Sequence, residues 1–215
     1  MISAELPGPT LLVAPVRGLF LEAERTLEAL RAFGPVTVGL GISSEEMRGL
    51  EDYFVRAEAE PVVPLTATES SEVRGLVRFG EVRIPNPSFV GVLRWCAAGG
   101  VPAQPLDPND ERSASLFTEH IGYLELVRRT VRERRVARSP PAASTADEFA
   151  LAWDGEVAGG RGSKAFSRAR DRHFARGAER LRASDARIAL VVDRERFEVV
   201  RDLLGRGVPS EMDDE

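Results

Sequence analysis

Cysteine and histidine are scarce in this chain, and their scarcity excludes several kinds of site. Cys96 is the only cysteine among 215 residues, so neither an intrachain disulfide nor a thiolate cluster around a metal can form. A single cysteine also fits a reducing compartment. His120 and His173 are the only histidines, and neither has an acidic neighbour at metal-ligand spacing. Because a zinc site built from both would need a third ligand, we interpret them as hydrogen-bonded or exposed side chains.

Long apolar runs are missing as well. No stretch approaches the roughly 20 apolar residues that a membrane-spanning helix needs. The N-terminal segment, MISAELPGPT, lacks the basic region and the apolar core of a signal peptide. We therefore expect a soluble, cytoplasmic protein without a membrane span.

Positive charge is in deficit, because 34 acidic residues face 29 basic ones and the formal net charge is −5 at pH 7. Such a total argues against a general binder of nucleic acid or of anionic membranes. The hydrophobic fraction of 43% and the charged fraction of 29% are ordinary for a globular protein. A chain of 215 residues is long enough to bury a sizeable core as one domain.

Short apolar runs predict the strands of a buried parallel sheet. These runs lie at residues 10–13, 36–42, 101–106 and 188–192. The first two alternate with amphipathic helices, which implies parallel pairing through a right-handed crossover. Ser43 and Glu46 stand at capping-box spacing and predict the start of the second helix. We expect an α/β fold with a mostly parallel central sheet covered by helices, forming a single domain over residues 1–207.

Two stretches interrupt this alternation. Residues 60–86 contain Pro61, Pro64 and an apolar–charged alternation around Gly80, which predicts an inserted β-hairpin at residues 73–84. Residues 112–164 predict a helical insertion, beginning with one long amphipathic helix. Its apolar stripe, predicted to be buried, comprises Phe117, Ile121, Leu124, Val127 and Val131. The arginines between residues 128 and 138 are then expected to face solvent, and residues 208–215 to form a flexible acidic tail.

Ligands of open parallel sheets bind beyond the carboxyl ends of the strands, and the residues there are our candidate binding site. They are Arg17, Ser43, Asp107, Asp193 and Glu195. Two interpretations stay open. Carboxylates and guanidiniums gathered at one edge can bind a divalent metal or orient a water molecule. The same residue types also form internal ion-pair clusters at the bases of loops.

Two further features favour structural roles. The segment 159–164, Gly-Gly-Arg-Gly-Ser-Lys, lacks the full spacing of a phosphate-binding loop and follows no buried strand. We therefore predict a flexible loop over residues 154–163 rather than a nucleotide site. Cys96 stands beside Trp95 in an apolar helix with no base near it in the sequence, so we predict a packed, unreactive thiol.

The order of these elements resembles that of the TraB/PrgY family and its Tiki-type and ChaN-like relatives. The matching stretches are TLLVAPVRG, VTVGLGISSEEM, GVPAQPLDPNDE and ARDRHFARGAERLRASDARIALVVDRERFEVVRDLL. Asp107 matches the family's aspartate after the third strand, and Arg172 matches its helix before the last strand. The family carries a Gly-x-x-His near the first strand and another near the last. Here residues 14–17 read Ala-Pro-Val-Arg and residues 192–195 read Val-Asp-Arg-Glu.

Because those histidines are missing, we expect a TraB-like protein that binds a protein partner or a small ligand without catalysis. We predict no specific cofactor and name no metal ligand, and a divalent metal stays open as an alternative. The alternative is a metal-dependent hydrolase with a rewired site. In it Asp107 and Asp193 would serve as metal or acid–base carboxylates, and Arg17 or Arg172 as an anion clamp. That site requires the two carboxyl groups to converge within about 4–6 Å.

A third class, nucleic-acid binding through the arginines of residues 128–138, is the least favoured because the total charge is acidic. We also expect a homodimer. The predicted hairpin at residues 73–84 would leave a free edge that a second copy can cover, and symmetric dimers are the commonest oligomers.

Overall fold

The computed structural model describes residues 1–56, 65–183 and 187–207. Within this part of the chain the strands are β1 (Ile2–Leu6), β2 (Thr10–Ala14), β3 (Thr37–Leu40), β4 (Ala103–Pro105) and β5 (Ile188–Val191). They form one sheet in the order β1-β2-β5-β3-β4, in which β1 is antiparallel to β2 and the other pairs are parallel. The predicted α/β fold with a mostly parallel sheet is confirmed. Strand β1, which pairs antiparallel with β2, is not among the predicted strands.

The helices lie on both faces of this sheet and over the carboxyl ends of its strands. They are α1 (Phe20–Phe33), α2 (Ser44–Arg56), α3 (Ala67–Leu76), α4 (Pro87–Gly99), α5 (Asp110–His120), α6 (Tyr123–Arg138), α7 (Ala146–Val157), α8 (Arg161–Arg182) and α9 (Phe197–Arg206). Among the described residues, no helix is both long enough and apolar enough to cross a membrane.

Burial on both faces explains why the strand segments are unbroken apolar runs. Every residue of β2 and β5 is buried. Leu12 and Leu190 pack on one face against Phe174 of α8 and Phe197 of α9. Residues on the other face, such as Val13 and Val191, pack against α1 and α4. Successive side chains of each strand therefore enter two different cores.

Gly39 in β3 marks a close approach of side chains to the backbone. A Cβ atom there would lie 2.5 Å from Leu106 Cδ1 and 2.9 Å from Leu190 Cδ2. Glycine is thus required because the side chain of Leu106, directly after β4, and one from β5 fill the space.

The predicted hairpin at residues 60–86 is wrong for the part that the structure describes, residues 65–86; Pro61 and Pro64 lie outside it. The segment forms α3 and then a 3₁₀ turn, Val77–Phe79. Thr66 caps α3: its hydroxyl accepts from the Glu69 N–H at 3.2 Å, and the Glu69 carboxylate accepts from the Thr66 N–H at 2.8 Å. This capping box outweighs the alternating pattern because it satisfies backbone groups that would otherwise be unpaired.

The predicted long helix over the stripe residues is also wrong in two respects. The chain forms two helices, α5 and α6, with Ile121 buried between them. Leu124, Val127 and Val131 are exposed on α6, whereas Val136 packs into a third core beside α3 and α7. That core, which also holds Val16 just beyond β2, places α3, α6 and α7 over the carboxyl ends of the strands.

The flexible loop predicted at residues 154–163 is wrong as well, because α7 ends at Val157 and α8 begins at Arg161. A Cβ atom on Gly162 would lie 2.5 Å from the His120 carbonyl oxygen, and one on Gly160 would overlap the Glu125 carboxylate. These glycines therefore let the start of α8 pack closely on α5 and α6, which accounts for the glycine-rich segment without a phosphate.

We predict that Gly75→Ala destabilises the protein by about 1–3 kcal/mol, because overpacking a filled core forces neighbouring side chains to move. Gly75 lies in α3, where a Cβ atom would sit 2.6 Å from Phe149 Cε2, and Phe149 is fully buried. Gly155→Ala in α7 is the control, since nothing lies within 4 Å of a Cβ atom there. Urea unfolding measures both; a Gly75→Ala protein as stable as the wild type would contradict the packing of α3.

Candidate functional site

A cleft of about 510 Å³ opens beyond the carboxyl ends of β2, β3 and β5. Arg17 follows β2, Gly41 and Ile42 follow β3, and Asp193 and Glu195 follow β5; all five line the cleft. Residues of α2, α3, α4 and α8 and the segment 82–86 contribute the rest of its walls. The cleft thus lies at the edge where open parallel sheets bind their ligands.

Three arginines line the cleft: Arg17, Arg83 and Arg170. Arg83 pairs with Glu81 and Arg170 with Asp107, which leaves Arg17 as the arginine that faces the carboxyl groups of the cleft without an ion pair among the described residues.

The negative charge of Asp193 above all, and then those of Glu72 and Glu195, raise the pKa of the Arg17 guanidinium above its ordinary value, although burial opposes this. Within the described part of the chain, Arg17 makes no ion pair shorter than 4.0 Å and no side-chain hydrogen bond. Its guanidinium is therefore charged and available to a ligand.

Glu195 is the most strongly perturbed carboxyl group of the cleft. Burial, followed by the negative charge of Asp193, raises its pKa to about 8, so the group is protonated at neutral pH. Glu72 on α3 faces the same cleft, and burial raises its pKa too. The Asn86 side-chain amide donates a hydrogen bond to the Asp193 carboxylate at 3.3 Å and so helps to position it.

The remaining wall of the cleft is partly apolar and partly charged. Its charged residues are Glu46, Glu69, Arg83 and Arg170. Its apolar part is formed by Leu50, Tyr53, Leu65, Val73, Leu76, Val82, Ile84, Pro85 and Phe89. Asn86 connects this wall to the charged end, since its side-chain oxygen also caps α4 by accepting from the Ser88 N–H at 3.2 Å. The cleft therefore combines a hydrocarbon surface with a few convergent polar groups, as small-molecule sites commonly do.

Asp107, in contrast, belongs to a buried ion-pair cluster. Arg196 donates to both of its carboxylate oxygens at 2.8 Å, and Arg170 Nε donates to it at 2.8 Å. Burial alone would raise the pKa of Asp107, but the charges and hydrogen bonds of the two arginines hold it below the ordinary value. Asp107 is thus occupied by protein partners and does not line the cleft.

The structure separates the candidate residues that the sequence had grouped at one edge. Arg17, Asp193 and Glu195 share the cleft, whereas Asp107 faces two arginines and Arg172 of α8 does not line the cleft. Asp107 and Asp193 therefore have different partners and do not form the joint carboxylate site of the hydrolase alternative.

Ser43 also serves the fold rather than the cleft. Its hydroxyl accepts from the Glu46 N–H at 3.1 Å, and its own N–H donates to the Glu46 carboxylate at 2.8 Å. The predicted capping box is therefore confirmed. Cys96 is buried, and burial raises the pKa of its thiol to about 11, as expected for an unreactive group.

The described part of the chain contains no cluster of side chains arranged to bind a metal ion. No group of three or more histidine, cysteine, aspartate or glutamate side chains has the arrangement needed to hold an ion there. His120 lies at the end of α5, 3.9 Å from the Glu119 carboxylate, and His173 lies on α8, where burial lowers its pKa.

Sequence reasoning missed Glu72 and Asn86, both of which face or support the cleft. Glu72 lies on α3, in the segment that the alternating pattern assigned to a hairpin. Thr66 and Glu69 have capping-box spacing and would have predicted that helix, and with it the position of Glu72 one turn later.

Comparisons of the chain with protein-family models, with curated proteins and with solved structures found no match. The resemblance to the TraB/PrgY family therefore stays a prediction.

We predict that Asp107→Asn destabilises the protein by about 3–5 kcal/mol at neutral pH, because the buried charge of Arg196 would lose one of its two carboxylate partners and keep only Asp171. Since the pKa of Asp107 is lowered by folding, its contribution is present above the ordinary value of 3.8 and is lost as the pH falls further. Urea unfolding at several pH values measures this. Glu198→Gln, which removes an exposed ion pair with Arg201, is the control and should cost under about 1 kcal/mol.

Glu195 should give the opposite pH dependence. Between its ordinary pKa of 4.5 and the value of about 8 in the folded protein, the folded state binds more protons at this site than the unfolded chain. Stability therefore falls as the pH rises through that range. We predict that Glu195→Gln matches the wild type near pH 4.5 and exceeds it at pH 8.5 by about 4 kcal/mol. Parallel stability curves for the two proteins would contradict this assignment.

Proposed function

We propose that this chain is a TraB-like protein that binds a small ligand in the cleft beyond the parallel strands and has lost the family's hydrolytic activity. The observation that carries the proposal is the Arg17 guanidinium, which faces the cleft without an ion-pair partner among the described residues. The order of the elements and the matching sequence stretches support the family assignment. The absence of histidine from residues 14–17 and 192–195 supports the loss of activity.

The charged, hydrogen-bonding and apolar side chains of the cleft indicate which chemical groups a ligand would carry. Arg17 pairs with an anionic group such as a carboxylate. Protonated Glu195 donates a hydrogen bond, and Asp193 accepts one from a hydroxyl or amine. Leu50, Phe89 and the rest of the apolar wall cover a hydrocarbon part. The proposed ligand is therefore a small carboxylate that bears an amine or hydroxyl group and an apolar body.

One observation favours a second candidate, hydrolysis. A protonated Glu195 beside the negative charge of Asp193 is the arrangement in which one carboxyl acts as acid and the other as base. The family resemblance implies a divalent metal for such a reaction. The donor groups of the described residues do not fit one, so a reaction here would rest on the two carboxyl groups.

Self-association stays a prediction, but a different part of the sheet would have to provide the free edge. The hairpin that was to provide a free edge is helical, but β1 and β4 are the edge strands of the sheet. A homodimer that pairs along β1 is consistent with this arrangement.

We predict that a panel of small hydroxy and amino carboxylates contains compounds that stabilise the wild-type protein against heat and do not stabilise Arg17→Met. A ligand at ten times its Kd adds about 1.4 kcal/mol, or roughly 3–5 °C in Tm for a chain of this length. Arg201→Met on α9, outside the cleft, is the control and should keep the full shift.

Two results would contradict this proposal. The first is a thermal shift that persists in Arg17→Met. The second is turnover of p-nitrophenyl acetate by the wild type that Asp193→Asn and Glu195→Gln each abolish, which would decide for hydrolysis.

A further inference from the structure

Helix α6 turns apolar side chains away from the body of the protein. Tyr123, Leu124 and Val131 are 79%, 69% and 61% exposed, and Val127 is exposed beside them. A helix of a globular domain ordinarily buries such a stripe. Here they occupy the half of the helix opposite Val136, which is buried.

The side of α6 that faces the body combines the buried Val136 with paired, partly buried charges. Arg132 donates to the Glu125 carboxylate at 3.0 Å, and the Ser163 hydroxyl of α8 is 3.4 Å from the same carboxylate. Arg129 donates to Glu133 at 2.9 Å. Both glutamates of α6 are thereby paired with arginines of the same helix and partly buried.

The outward charge of α6 is therefore positive only. Arg128, Arg134, Arg135 and Arg138 are exposed, and none of them makes an ion pair within the described residues. We define the outer face of α6 as these arginines together with Tyr123, Leu124, Val127 and Val131. Its apolar members lie mainly in the first half of the helix and its arginines mainly in the second. In a chain of net charge −5, this is a local segregation of positive charge and apolar surface.

We propose that the outer face of α6 docks on the surface of a bilayer that contains anionic lipids. Interfacial helices insert apolar side chains at the boundary of headgroups and acyl chains while their arginines lie near the lipid phosphates. Tyr123 at the start of the helix has the amphipathic ring that favours this boundary. The helix lies along the surface and does not span it.

Charge and hydrophobicity together favour this occupant over two others. A second copy docking antiparallel through the same face would set the arginine-rich half of each helix against the apolar half of the other, with no outward carboxylate on α6 to neutralise the arginines. A nucleic acid would neutralise the arginines but would leave Leu124, Val127 and Val131 against a charged backbone. Anionic lipid supplies both the phosphate and the hydrocarbon.

The test is co-sedimentation of the full chain with vesicles of phosphatidylcholine and phosphatidylserine, compared with vesicles of phosphatidylcholine alone. The wild type should bind the anionic vesicles and bind the neutral ones at least tenfold more weakly. Arg134→Gln with Arg135→Gln should weaken binding by roughly 25-fold, about fivefold for each arginine. Leu124→Ser with Val131→Ser should weaken it about tenfold or more, because apolar insertion is lost.

Val199→Ser with Arg201→Gln on α9 is the matched control, since both side chains are also exposed on a helix, and its binding should stay within twofold of wild type. Because the substituted residues are exposed, circular dichroism melting should be unchanged in every variant. Equal binding to both vesicle types, or none, would overturn the proposal. So would self-association that Leu124→Ser abolishes, or salt-sensitive binding of duplex DNA that it leaves intact.

Discussion

A single buried guanidinium holds the carboxyl edge of the sheet together. Arg196 is 7% exposed; it donates to Asp107 after β4, to Asp171 on α8 at 2.7 Å, and to the Gly41 carbonyl oxygen after β3 at 3.4 Å. A charge removed from water must be paired, so these partners fix the ends of two strands and one helix against each other. The position of the cleft follows from that arrangement.

The side chains of residues 194–196, directly before α9, contact three different parts of the protein. Arg194 donates to Asp147 of α7, with its Nη2 at 2.8 Å, and Arg196 donates to the cluster around Asp107. Glu195, between them, lines the cleft. One 3₁₀ turn thus ties α7 and α8 to the sheet and leaves a protonated carboxyl facing the proposed ligand.

The net charge conceals two surfaces of different character. The cleft surrounds Arg17 with the carboxyl groups of Asp193, Glu72 and Glu195, whereas the outer face of α6 carries arginines and apolar side chains. A total of −5 argued against anionic partners in general, but binding depends on the charges that one face presents. The folded chain therefore presents a cleft rich in carboxyl groups around Arg17 and a separate basic surface.

The sequence alone determined the parallel strands and the Ser43–Glu46 cap. A strand covered on both faces must be continuously apolar, and a capping box satisfies backbone groups within four residues, so both signals are local. Only the tertiary structure decided that Glu72 of α3 faces the cleft, that Asp107 pairs with Arg196, and which side of α6 is buried. Each of these depends on partners distant in the chain, such as Ser163 beside Glu125, and no local pattern specifies them.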